Sequence, residues 1–105
     1  MIDNVLIEDI RQWGFDKGIL GFEATPKARK AQAMKTVEEV QELLDAINAD
    51  DRDAARDAIG DIIVTLVMQA ELWDTGIGRC VYDAYQEIKN RKGKMVDGQF
   101  VKEIE

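Results

Sequence analysis

The longest uncharged stretch of the chain, nine residues at positions 62–70 (IIVTLVMQA), follows directly on Asp61. The spacing predicts a helix, and residues one turn apart on a helix share a face, so Asp57 and Asp61 point the same way. Val64 and Met68 continue that face, while Ile59, Ile62, Ile63, Leu66 and Val67 cover the others. A helix that is apolar all round is normally buried all round. Asp61 is therefore a carboxylate expected in the interior, where an ionised group is costly unless a cation or strong donors meet it. Two partners are open at this point: a lysine or arginine from another helix, or a metal ion.

A chain of 105 residues fits one domain, 1–105, with a modest core. A net charge of −7 argues against a nucleic-acid binder. There is no histidine, so any catalysis runs on carboxylates, lysines, tyrosines or a metal. The single cysteine, Cys80, has no internal disulfide partner, which suits a reducing compartment. No basic-then-apolar leader opens the sequence and no uncharged run is long enough to cross a bilayer. These features lead us to expect a cytoplasmic protein with no membrane partner.

Helical spacing of Val5, Leu6, Ile10 and Trp13 predicts a first helix over about 2–19, stopping before Gly21. Thr25-Pro26 is a helix start, with threonine as N-cap and proline at the first position. The helix it opens, 26–49, carries a stripe of Val37, Val40, Leu44 and Ile47, widened by Leu43. Thr36 and Glu39 also fit a capping box, which predicts a break or kink near Lys35. Asp50 or Asp51 caps the third helix, running to about 74. A fourth helix over about 77–91 has Val81, Tyr85 and Ile88 on one side, and Asp97-Gly98 between short apolar runs predicts a small hairpin or an extended tail. The expected fold is all-α, a four-helix arrangement with a short C-terminal appendage. Because the third helix offers water no polar side, helices of another subunit are expected to cover it, giving a homodimer or homotetramer.

Glu38, Glu39 and Glu42 share one edge of the second helix, mostly opposite its apolar stripe. Alone, with Lys35 and Asp45 alongside, they read as a solvated acidic face. Antiparallel packing through the short turn at 48–52 would bring Glu39 and Glu42 level with Asp57 and Asp61. Four carboxylates in one place repel one another unless divalent cations neutralise them. Oxygen ligands without histidine or thiolate select a hard ion, Mg²⁺ or Mn²⁺.

The run Glu38-Glu39-Val40-Gln41-Glu42-Leu43, followed after a turn by Ile59-Gly60-Asp61-Ile62-Ile63, resembles the MazG-like branch of the all-α NTP pyrophosphatases. The flanking Thr25-Pro26-Lys27, Lys35-Thr36 and Arg91-Lys92-Gly93-Lys94-Met95-Val96 extend the likeness over nearly the whole chain. The family pattern, E-E-x-x-E then E-x-x-D, places a glutamate at position 58, where this chain has Ala58. Asp57 is the favoured replacement; a site with fewer metals, or lost activity, are the other readings. The resemblance implies Mg²⁺-dependent hydrolysis of a nucleoside triphosphate to a monophosphate and pyrophosphate. It implies Glu39, Glu42 and Asp61 as metal ligands, with Asp57 in place of the missing glutamate, and Glu38 as the group that orients or deprotonates water, or as a further ligand. Lys35, Lys89 and Arg91 become candidates for the triphosphate, although a helix C-terminus favours cations in any case. Trp13 and Tyr85 are candidates to stack on a base, although a tryptophan on the apolar side of the first helix, as Trp13 is, more often belongs to the core. The alternative is a weakened relative, an oligomeric helical module that binds nucleotide or a protein partner.

Overall fold

The computed structural model describes residues 1–104. Four helices, α1 (Asn4–Asp16), α2 (Pro26–Asn48), α3 (Arg52–Leu72) and α4 (Ile77–Ile88), are followed by an antiparallel hairpin of β1 (Gly93–Val96) and β2 (Gln99–Lys102). The expected all-α fold and hairpin are both present.

Helix boundaries follow from local chemistry. Thr25 Oγ1 accepts from the Ala28 amide at 3.1 Å, and Asp51 Oδ1 accepts from the Ala54 amide at 3.0 Å, so each caps its helix. Helix α1 ends earlier than its apolar spacing predicts. Gly18, at φ +80°, turns the chain into the left-handed region, and the Gly18 and Ile19 amides donate back to Phe15 O and Gly14 O. This closing turn satisfies the last carbonyls of the helix and swings Ile19 and Leu20 onto α3. Asp50 (φ 51°) and Asp74 (φ 55°) close α2 and α3 with the same pair of bonds. Asp51 thus serves both helices, its amide ending α2 and its carboxylate starting α3.

The predicted kink near Lys35 is absent, and α2 runs unbroken from Pro26 to Asn48. Thr36 does not cap; its Oγ1 bonds Gln32 O at 3.1 Å and Thr65 Oγ1 of α3 at 2.8 Å. With Thr65 also 2.7 Å from Ile62 O, two hydroxyl protons serve three short contacts.

Helices α2 and α3 pack antiparallel. At one end Gln69 Nε2 donates to Arg29 O (2.9 Å), Arg29 Nε donates to Leu72 O (3.1 Å), and the Arg29 guanidinium lies 4.2 Å from the centre of the Trp73 ring. Thr36 meets Thr65 midway. The core lies between α1 and α3, where Leu20, Val67, Met68 and Leu72 are buried. Arg11 Nε reaches Glu71 Oε1 at 2.8 Å and ties α1 to α3 beside that core. Gly14 sits where a Cβ would come within 2.5 Å of Met68 Sδ, so the tip of Met68 fills the space a side chain there would need. Helix α3 is buried where it meets α1 and α2 but not all round, since Ile59 and Leu66 remain exposed within one chain, as do Val37, Val40, Leu44 and Ile47 of α2. No helix among the described residues is long and apolar enough to cross a membrane.

Candidate metal centre and adjoining cleft

Because the antiparallel pairing that joins Thr36 to Thr65 continues one turn further, Glu39 and Glu42 on α2 come level with Asp61 on α3. One carboxylate oxygen from each of these three residues lies within 4.8 Å of the other two. Among the described residues Glu39 is the only buried one with a charged side chain, at 7 % exposure, and its Oε2 has no hydrogen-bond partner. Its Oε1 lies 3.7 Å from Lys35 Nζ, which sits closer, at 3.2 Å, to Glu38 Oε2.

The electrostatics are those of a group short of positive charge. Burial raises the Glu39 carboxyl above the usual range, the neighbouring Glu42 raises it further, and Lys35 offsets this only in part. Asp61 is raised first by burial and then by the negative charges of Asp57 and Glu39. None of the ion pairs among the described residues includes Asp61, so a lysine or arginine partner for it is not formed. An unpartnered buried oxygen within an all-carboxylate donor set fits a hard divalent cation.

Asp61 is half-buried rather than interior, because it lines a cleft of about 430 Å³ between α1, α2 and α3. Lys35, Glu39 and Asp61 form its polar end, and Trp13, Ile19 and Met68 its apolar end. Trp13 is 43 % exposed, a cleft wall rather than a core residue.

The remaining sequence candidates lie elsewhere. Asp57 is exposed and outside the group of three, acting on Asp61 through its charge, and the buried residue beside it is Ala58, at 2 % exposure. Packing explains the difference. Position 58 is three residues before Asp61 and turned into the protein, whereas position 57, about 100° away round the helix, is turned outward. Glu38 is exposed and paired with Lys35. Lys89 bonds Gln86 Oε1 at 2.6 Å and Arg91 lies 3.6 Å from Glu87, both at the end of α4 and away from the cleft. Tyr85 lines a different groove, between α4 and the start of α1. The sequence places Met68 on the Asp61 face without giving it a role in a site, and only the turn after Gly18 brings Ile19 into place.

No match was found among curated proteins or among solved structures. A family model described as the MazG nucleotide pyrophosphohydrolase domain matches residues 28–95, which include all three carboxylates and well over half of the chain. By that match, the chain belongs to the MazG nucleotide pyrophosphohydrolase domain family.

Proposed function

We propose that the protein hydrolyses nucleoside triphosphates, ribo or deoxy, between the α and β phosphates, releasing a monophosphate and pyrophosphate in nucleotide-pool housecleaning. The observation that carries this reading is the buried Glu39, with one oxygen unpartnered, grouped with Asp61 in the lining of a cleft, in a chain of this family. Glu39, Glu42 and Asp61 would hold Mg²⁺, or Mn²⁺, with Asp57 contributing charge from outside the group. The ion, when bound, supplies positive charge to phosphate oxygens and lowers the pKa of water. Glu38, once released from Lys35, is placed on the same edge of α2 to accept the proton of the attacking water. Lys35, freed in the same exchange, turns to the phosphates. The apolar end of the cleft, with Trp13 as one wall, takes the base.

Lys89 and Arg91 do not reach the cleft of their own chain, so a phosphate role for them requires a second copy. The exposed apolar face of α2 and α3 supports a homodimer or homotetramer. Ala58 favours a second reading, a nucleotide-binding module with weakened catalysis. Product analysis separates the two. With a panel of NTPs and dNTPs and Mg²⁺, the wild type should yield monophosphate and pyrophosphate, and Asp61→Asn should not. No turnover in Mg²⁺ or Mn²⁺ would overturn the enzymatic reading in favour of the binding module.

A further inference from the structure

We propose that Gln32 reads the base of the bound nucleotide, pairing with its polar edge through the side-chain amide. The assignment deepens the nucleotide reading above and rests on it. Few polar side chains in the cleft lining are free for such a role. Lys35, Glu39 and Asp61 make up its charged end. Thr65 also lines it, but its hydroxyl is engaged with Thr36 Oγ1 at 2.8 Å and with Ile62 O at 2.7 Å. Gln32 remains, half-buried, in the same lining as Trp13, Ile19 and Met68. Four of the other glutamines use their amides: Gln12 and Gln41 donate to the aspartates one turn on, Gln69 donates to Arg29 O, and Gln86 accepts from Lys89. The side-chain amide of Gln32 takes part in no hydrogen bond among the described residues.

Its place along α2 suits the role. Gln32 stands one turn before Lys35 and two before Glu39, about 10 Å from the latter along the helix axis. Carboxylates, ammonium and amide thus follow one another in the order in which a metal-bound nucleotide presents phosphate and then base. A base in the apolar end of the cleft brings N–H and C=O groups out of water, and each one left unpaired weakens binding. A glutamine amide sets one donor beside one acceptor, and a half-turn about its last bond exchanges them. Adenine and cytosine each present an amino group beside a ring-nitrogen acceptor. Guanine and uracil each present a ring N–H beside a carbonyl. One orientation of the Gln32 amide matches the first pair and the other matches the second. The substrate class is therefore a nucleotide whose base carries a donor beside an acceptor, with little preference among the four.

The test measures binding in Mg²⁺ of non-hydrolysable analogues of the four triphosphates and of inorganic tripolyphosphate, which has no base. Gln32→Met keeps the length of the side chain and removes both hydrogen bonds. It should weaken binding of all four analogues by roughly tenfold or more and leave tripolyphosphate binding unchanged. Gln32→Glu can only accept, so it suits guanine, whose N1–H and N2 amino donors are adjacent, and not uracil. Its ratio of guanine to uracil affinity should exceed that of the wild type by about tenfold or more, and taking a ratio cancels the charge added to the cleft. Wild-type affinity for the analogues in Gln32→Met, an equal loss for tripolyphosphate, or an unchanged ratio in Gln32→Glu would overturn the assignment. If Gln32→Met fails to fold, the ratio in Gln32→Glu decides. A protein that binds the analogues with this dependence on Gln32 yet hydrolyses no nucleotide supports the assignment and refutes hydrolysis. A wild type that binds none of the analogues refutes both.

Discussion

Replacing Asp61 by asparagine should have opposite effects with and without metal. In the metal-free protein Asp61 has no cationic partner, and burial, with the charges of Asp57 and Glu39, holds its carboxyl above the usual range. Removing its charge relieves that repulsion, so metal-free Asp61→Asn should melt at or above the wild-type temperature. With metal the order reverses. An ion that binds only the folded state at ten times its dissociation constant stabilises by about 1.4 kcal/mol. At the usual unfolding entropy per residue, that is about 6 °C for a chain of 105 residues. The wild type should show this shift in Mg²⁺ and Asp61→Asn almost none. The pH dependence has a definite sign. Glu39 and Asp61 are both raised, so between the ordinary carboxylate range near 4 and their raised values the folded state holds more protons than the unfolded chain. Their contribution to metal-free stability is therefore full below that range and is lost as pH rises through the raised values. The stabilisation by metal grows over the same interval, as fewer protons compete for the carboxylates. Thermal scans from pH 4 to 8, with EDTA and with Mg²⁺ or Mn²⁺, measure all of this. A wild type indifferent to both ions, or an equal shift in Asp61→Asn, would refute the metal assignment; a lower metal-free melting temperature in the variant would show that Asp61 is held by a partner after all.

Three further substitutions test the surroundings of the site. Ala58→Glu places a carboxylate at a position 2 % exposed and should cost about 3 kcal/mol in EDTA, with much of it recovered in Mg²⁺, as read by urea unfolding under both conditions. Asp50→Gly removes a side chain from a left-handed position (φ 51°) and should stabilise by about 0.5–1 kcal/mol in the same assay. Thr36→Val and Thr65→Val should each destabilise by about 1 kcal/mol, and the double variant by less than their sum, because either single change strands the other hydroxyl's shared bond.

What could be read from the sequence was what neighbours in the chain decide. Thr25 caps its helix as read, and Asp51, one of the two residues read for the third helix, caps that one, because an N-cap bond spans only three residues. Asp97-Gly98 forms its turn for a similar reason. The meeting of Glu39, Glu42 and Asp61 followed from a short turn joining two long helices, which fixes the register. Side-chain direction across the α2–α3 contact was not legible in the same way. Asp57 and Ala58 differ by one residue and about 100° of helix rotation. Which of the two faces α2 is settled by packing along the whole helix pair, so the choice of Asp57 as a replacement ligand rested on spacing that either position satisfied. Thr36 illustrates the same limit, because a capping-box pattern inside a helix goes unused when a hydroxyl on another helix is in reach. The early end of α1 depended on Gly18 adopting a positive φ, where Gly14 and Gly21 offered the same residue type nearby.

The close approach at Gly14 gives the cleft a control point on its far side. Met68 contributes to the apolar end of the cleft, and its sulfur and terminal methyl also occupy the space that a Cβ on residue 14 would need. A methionine side chain is flexible, so a methyl group added at position 14 would displace its tip without dismantling the helix contact. One direction open to that tip is into the cleft, whose volume is only about 430 Å³. Residue 14 lines no part of the cleft, yet it limits how far Met68 can withdraw from it. The size of group admitted there can thus be altered by a substitution on α1 that leaves every cleft-lining residue, and the three carboxylates, unchanged.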